Sequence, residues 1–273
     1  MACAYEFKET LLTLSGVCLK LGARPVLNDL SAEVRNVVRP GLVQGQVVAV
    51  LGPSGVGKTQ LLRLVAGLTT PDRGEVRVGA AQEPVSCGKV GVVAQTYPLF
   101  EHRTLLSNLL LAARRGGIGP TEARERSERM LARFELAEHA STYPATLSGG
   151  QRQRAAIAQQ LMQPKSLLLM DEPFSGLDPV MVREVCRLVT ELASLDEELT
   201  LLVVTHDIAA ALAVADTVWL LGRVRDATGA SLGARIVERV DLMERGLAWQ
   251  PDVTHLPAFE ATRREVEARF HAL

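Results

Sequence analysis

Residues 46–51, QVVAVL, are apolar and β-branched, and they run directly into Gly52, Pro53, Ser54, Gly55, Val56, Gly57, Lys58 and Thr59. This stretch fits G-x-x-x-x-G-K-[ST], between an expected strand and an expected helix, the context in which that pattern has chemical meaning. The glycines let the backbone curl until successive N–H groups point inward at phosphate oxygens. Lys58 adds a point charge toward the terminal phosphates, Thr59 offers a hydroxyl to Mg²⁺, and the helix N-terminus adds its dipole.

The rest of the chain alternates strands and helices. Residues 11–35 read as two short strands about a turn at 22–25, and residues 36–45, with a Pro-Gly pair, as a loop. A helix should run from Lys58 to about Gly67, followed by a turn at 71–74 and strands at 75–78 and 90–94. Thr104 is placed to cap a helix reaching Arg115, and Thr121 to cap the next, with Ser127, Met130, Leu131 and Phe134 on its inner stripe. The charges between 122 and 135 alternate in sign, as on a solvated helix face. Further helices are expected at 149–163, after the cap Asp178 with Pro179 (Val182, Val185, Leu188, Val189 and Leu192 inward), and at 207–215. Further strands are expected at 167–170, 200–205 and 217–221. Residues 222–240 read as a hairpin, and the tail from Pro257 as a helix packed on its own domain. Such alternation implies a parallel sheet covered on both faces, with the run 96–146 as a helical insert.

Composition narrows the partners. Thirty Lys and Arg against 31 Asp and Glu leave a net charge of −1, which argues against nucleic acid, whose binders cluster positive charge. Cys3, Cys18, Cys87 and Cys186 are isolated in sequence and read as reduced, mostly buried cytosolic thiols. The N-terminus lacks the basic start and apolar run of a secretory signal. No stretch approaches the ~20 apolar residues that span a bilayer. A soluble protein is expected, with any membrane role exercised through a partner.

Three further groups carry chemistry. Asp171 and Glu172 end an apolar strand. Beside a phosphate loop, Asp171 is placed to hold Mg²⁺ and Glu172 to orient or deprotonate an attacking water. Ser148, Gly149, Gly150 and Gln151, in the segment LSGGQ, open a helix, where a hydroxyl and backbone N–H groups can approach an anion. Gln95 and His206 each follow an expected strand, at the sheet end where open α/β folds bind ligands.

With these residues in this order, the chain resembles the nucleotide-binding subunits of ATP-binding cassette (ABC) transporters over about residues 11–222. The match comprises the Walker A loop at 52–59, Gln95, the signature LSGGQRQR at 147–154, Asp171 with Glu172, SGLD at 175–178 and His206. The resemblance implies an α/β P-loop NTPase (RecA-like) fold: a mixed, mainly parallel sheet with an antiparallel β subdomain and an inserted α-helical subdomain. It places an ATPase domain at 9–222, with the helical insert at about 96–158, and a hairpin-and-helix extension at 223–273. It further implies a head-to-tail homodimer holding two ATP with Mg²⁺. Each ATP would lie between one subunit's 52–59 and the other's Ser148, Gly149, Gly150 and Gln151, with Asp178 crossing the interface. Thr59, Gln95 and Asp171 would hold the metal, while Glu172, His206, Gln95 and Lys58 would serve hydrolysis. Integral membrane permease subunits would dock near residues 97–100. The complex would sit peripherally on the cytoplasmic face of the inner membrane, working with an extracytoplasmic solute-binding protein.

The motifs look most like importer subunits for polar solutes. Exporter or lipid-trafficking cassettes, and soluble cassettes acting on a scaffold such as an iron–sulfur assembly protein, are the alternatives. A cassette that binds ATP without hydrolysing it disagrees with filled positions 172 and 206. Three features depart from the family pattern: Leu21 stands where an aromatic residue usually stacks on adenine, residues 36–45 are long, and the tail from 223 has no assigned role.

Overall fold

The computed structural model describes residues 5–39, 44–163, 165–250, 252–271 and 273. The chain forms two compact units, one of residues 1–90 with 166–273 and the other of residues 91–165.

The first unit begins with β1 (Glu6–Leu21) and β2 (Arg24–Val38), followed by β3 (Gln46–Leu51), α1 (Lys58–Val65), β4 (Arg73–Val78) and β5 (Glu83–Pro84). The second unit holds β6 (Gly91–Val93), α2 (Leu105–Arg115), α3 (Pro120–Arg133) and α4 (Gly149–Gln160). The chain returns to the first with β7 (Leu167–Asp171), α5 (Pro179–Ala193), β8 (Thr200–Thr205), α6 (Ile208–Val214), β9 (Thr217–Arg225), β10 (Ser231–Asp241) and α7 (Pro257–Phe270).

Strands of the first unit lie in the order β5-β4-β1-β2-β10-β9-β3-β8-β7. Its centre is parallel: β3 pairs with both β8 and β9, and β7 with β8. Every residue of β3 and β8 is buried, as expected of strands covered on both faces. The flank is antiparallel, with β1 pairing β2 and β4. Strand β10 pairs antiparallel with β9 and touches β2 through Ala234 and Leu27. The hairpin expected at 222–240 therefore lies within the sheet.

The expected caps Thr104 and Asp178 form, and Ser148 and Asp207 cap helices as well. Thr104 Oγ1 accepts from Ser107 N, Ser148 Oγ from Gln151 N, Asp178 Oδ1 from Val180 N and Met181 N, and Asp207 Oδ1 from Ala210 N. Each satisfies an N–H that a helix start leaves unpaired. On α5, Val185, Val189 and Leu192 are buried, while Val182 and Leu188 are half-buried. In α7, Phe259, Thr262 and Val266 form the buried stripe.

Four expectations need correction. The first two strands are longer than expected, at 16 and 15 residues, because register shifts interrupt their alternation without ending their pairing. Residues 36–38 belong to β2 rather than a loop, while Pro40 and Gly41 lie outside the described residues. The third helix is capped by Gly119 with Pro120 at its first position. Proline's fixed φ suits that position, so Thr121 falls inside the helix. Among the described cysteines, Cys87 is exposed and Cys18 and Cys186 are half-buried, all three as free thiols. Among the described residues, no helix is long and apolar enough to cross a membrane.

Candidate functional site

Strand β3 delivers the chain to Gly52 at the carboxyl end of the parallel strands. A Cβ on Gly52 would stand 2.7 Å from the Leu221 carbonyl oxygen and 2.9 Å from Val56 Cγ1, so only glycine lets the loop leave β3 this close to β9. Gly55 and Gly57 take φ of +74° and +126°, values that side chains resist. Gly57 caps α1, and Lys58 opens it.

Lys58 is 6% exposed despite its charge. Its ammonium donates to the Gly52 carbonyl at 2.7 Å and lies 3.2 Å from Glu172 Oε1. Glu172 follows β7 with φ of 49°, and its N–H donates to the Val204 carbonyl at 2.8 Å, tying it to β8. Its Oε2 is 2.8 Å from His206 Nδ1 and accepts from the His206 N–H at 3.3 Å. One carboxylate thus joins the loop cation to the imidazole. The His206 side chain is 48% exposed, leaving its outer edge accessible.

Asp171 ends β7 beside Glu172. Burial, then the neighbouring Glu172 charge, pushes its carboxyl above the ordinary range, against Lys58 and a Thr59 hydrogen bond that lower it. Its Oδ1 is buried with no hydrogen-bond partner. An orphaned buried carboxylate oxygen is costly unless something pairs with it. Together with the Thr59 hydroxyl it fits a hard divalent cation, for which phosphate and water oxygens would complete the shell. Among the described residues, no cluster of three His, Cys, Asp or Glu could hold a metal independently.

The larger unit therefore gathers residues 52–59, Asp171, Glu172 and His206 at one end of its sheet. Asp178 lies seven residues past Asp171 in sequence, with Oδ1 engaged as the α5 cap. The smaller unit holds Gln95 and residues 148–151. Gln95 is exposed just past β6. Ser148 and Gly149 are exposed, and a Cβ on Gly149 would meet nothing within 4 Å. Gln151 closes a capping box: its Oε1 accepts from Ser148 N at 2.9 Å, and its Nε2 lies 2.9 Å from His139 Nε2. This side chain orders the α4 start, and the exposed groups there are Ser148 and Gly149. One contact at the phosphate loop carries no motif: Arg223 Nη2 donates to the Gly55 carbonyl at 2.6 Å. The two residues stand 168 positions apart, beyond any local pattern.

A phosphate loop, an Asp-Glu pair and a histidine at the ends of parallel strands define an ATP-binding cassette, and the chain belongs to the ABC transporter family, whose profile matches residues 36–175. It is 39% identical over 216 residues to the Fe(3+) ions import ATP-binding protein FbpC of Rhizobium etli, covering 77% of this chain and 58% of that protein. It is 42% identical over 206 residues to the sulfate/thiosulfate import ATP-binding protein CysA of Xanthomonas campestris, covering 73% of this chain and 57% of that protein. With the glutamate/aspartate import ATP-binding protein GltL of Escherichia coli it shares 39% over 216 residues, 76% of this chain and 86% of that one. The match thus spans little more than half the length of the FbpC and CysA relatives. Among solved structures, cbiO1 from Clostridium perfringens, described as part of the ABC transporter complex cbiONQ, has a TM-score of 0.71 at 23% identity, covering 87% of this chain and 90% of that one. At that identity the likeness concerns the fold.

Proposed function

We propose that this protein is an ATP-hydrolysing subunit that pairs head-to-tail with a second copy around two ATP and drives solute import through membrane permease partners. The observation that carries the reading is the Glu172 carboxylate, 3.2 Å from Lys58 Nζ and 2.8 Å from His206 Nδ1. It stands beside residues 52–59, a glycine-rich loop suited to triphosphate.

The chain's groups divide the work. Backbone N–H groups of residues 52–59 and the Lys58 ammonium bind the β- and γ-phosphates. Thr59 and Asp171 would hold a magnesium ion, which would supply charge neutralisation for the phosphates. Phosphate oxygens compete with Glu172 for Lys58, which frees the carboxylate to orient water and accept its proton. His206, steadied by Glu172, donates toward the γ-phosphate. Ser148, Gly149, Gly150 and Gln151 of the second copy close the other side of the nucleotide, and Asp178 joins the two sites.

Residues 97–100 are the proposed permease contact. Asn108, fully buried, holds this segment by accepting from Phe100 N and donating to the carbonyls of Phe100, Arg103 and Thr104. Phe100 remains 41% exposed. The import names of the sequence relatives favour import over export, and such a subunit would lie peripherally on the cytoplasmic face of the membrane beside an extracytoplasmic binding protein.

Steady-state hydrolysis by Glu172→Gln tests the reading. Loss of water activation should lower turnover by ~10²-fold or more, and an unchanged rate removes Glu172 from the mechanism.

A further inference from the structure

We propose that Arg223 is a positioning residue for the nucleotide, acting through the Gly55 carbonyl, so that the C-terminal hairpin sets the shape of the phosphate loop. This rests on the reading of residues 52–59 as the ATP site.

The hairpin is built to reach that loop. Strand β9 pairs with β3 up to Leu220 opposite Leu51, then continues to Arg225 with β10 as its partner. Its added length runs alongside the chain as it leaves β3: a Cβ on Gly52 would stand 2.7 Å from the Leu221 oxygen. Arg223, two residues on, lies on the same face of the strand as Leu221. Across the sheet, Ala234 of β10 pairs with both Arg223 and Leu27. On the Leu27 side, a Cβ on Gly57 would meet Leu27 Cδ2 at 3.1 Å and Val26 Cγ1 at 3.2 Å. The loop is thus flanked by apolar β2 side chains at Gly57 and by a guanidinium at Gly55.

The guanidinium contact fixes one peptide plane. Gly55 O accepts from Arg223 at 2.6 Å, and the N–H of the same peptide, on Val56, donates to the Pro53 carbonyl at 3.2 Å. Because a peptide is planar, holding both ends fixes its rotation. The peptide joins Gly55 to Val56, with Gly57 next in the chain, so it sits in a segment of wide backbone freedom. Without the guanidinium, the ordering of this segment would fall on nucleotide binding, at a cost in affinity. A charge-assisted hydrogen bond is strong enough to matter here. The route runs through the phosphate loop, so it concerns the triphosphate and is blind to the base.

The test uses the full chain with Arg223→Met and Arg223→Lys. Calorimetry measures binding of ATP and of GTP with Mg²⁺ at fixed ionic strength, and thermal unfolding is followed without nucleotide. Arg223→Met should weaken both nucleotides alike by ~10-fold with the melting temperature unchanged, and Arg223→Lys, which keeps a charged donor, should recover most of the loss. Unchanged affinity in Arg223→Met overturns the proposal. A loss confined to ATP overturns it by pointing to a base contact, and an equal loss in both variants with a lowered melting temperature overturns it by marking a structural arginine. If the folded unsubstituted chain binds neither nucleotide, the ATP reading itself fails, and the proposal falls with it.

Discussion

Lys58 Nζ stands 3.2 Å from Glu172 Oε1 with both side chains largely removed from solvent. The cation proposed to bind the phosphates and the carboxylate proposed to activate water are therefore in contact, and on that reading a γ-phosphate must separate them. A pair this sheltered resists separation more than a surface pair, because each charge is poorly hydrated once alone. Neutralising the carboxylate removes the competition. Glu172→Gln is expected to bind a non-hydrolysable ATP analogue about fivefold more tightly, as measured by calorimetry. Equal or weaker binding contradicts the competition.

His206 is held to Glu172 by side chain and backbone at once. His206→Ala removes the imidazole and leaves the backbone donor, so Glu172 should keep its place. Hydrolysis is expected to fall by ~10²-fold or more while analogue affinity changes by less than about threefold. Parallel losses in both quantities would give His206 a binding role instead.

Gly74 shows where the β1–β4 flank tolerates no side chain. Its φ is +79°, and a Cβ would stand 2.3 Å from the Ser15 carbonyl oxygen. Gly74→Ala therefore combines backbone strain with a clash against another strand. It should lower unfolding free energy by about 2 kcal/mol or more in urea titration, and a change within about 0.5 kcal/mol would contradict the close approach.

Asp216 is a buried acid far from the phosphate chemistry. Its Oδ2 accepts from Val47 N at 2.8 Å, its N–H donates to Val47 O, and its carbonyl accepts from Leu242 N. Burial pushes its carboxyl up from 3.8 to about 7, opposed by the Val47 N–H and the Arg39 charge. The folded protein therefore holds this proton at pH values where the unfolded chain has released it. The contribution is fully present below about pH 4 and is lost as pH rises through about 7. Asp216→Asn keeps an acceptor for Val47 N and has no proton to lose. Its stability relative to the unsubstituted protein should rise between about pH 4 and about pH 7 in urea titrations, and a pH-independent difference contradicts the raised value.

Elements that depend on near neighbours are legible in the sequence. Strands β3 and β8 announce themselves as β-branched runs, and the caps Thr104 and Asp178 are legible because capping is settled within three residues. Pairings settled at a distance are not. The lengths of β1 and β2 are hidden because their bulges break the alternation, and the loop expected from residue 36 takes in residues 36–38, the end of β2. In the site, the residue types and order of 52–59, 171–172 and 206 are legible. The Glu172 bridge depends on a φ of 49° and a bond to Val204, neither of which a residue type specifies. The Arg223–Gly55 contact and the burial of Asp216 join positions more than 160 residues apart, and only the assembled sheet reveals them.

The central claim is that two copies enclose ATP between the phosphate loop of one and Ser148 of the other. Light scattering on size-exclusion chromatography of Glu172→Gln, with and without ATP, tests it most directly, alongside Glu172→Gln/Ser148→Arg. The account predicts a monomer that becomes a dimer with ATP, and a doubly substituted chain that binds ATP yet stays monomeric. A mass unchanged by ATP in Glu172→Gln, or a dimer that persists with Ser148→Arg, would contradict it.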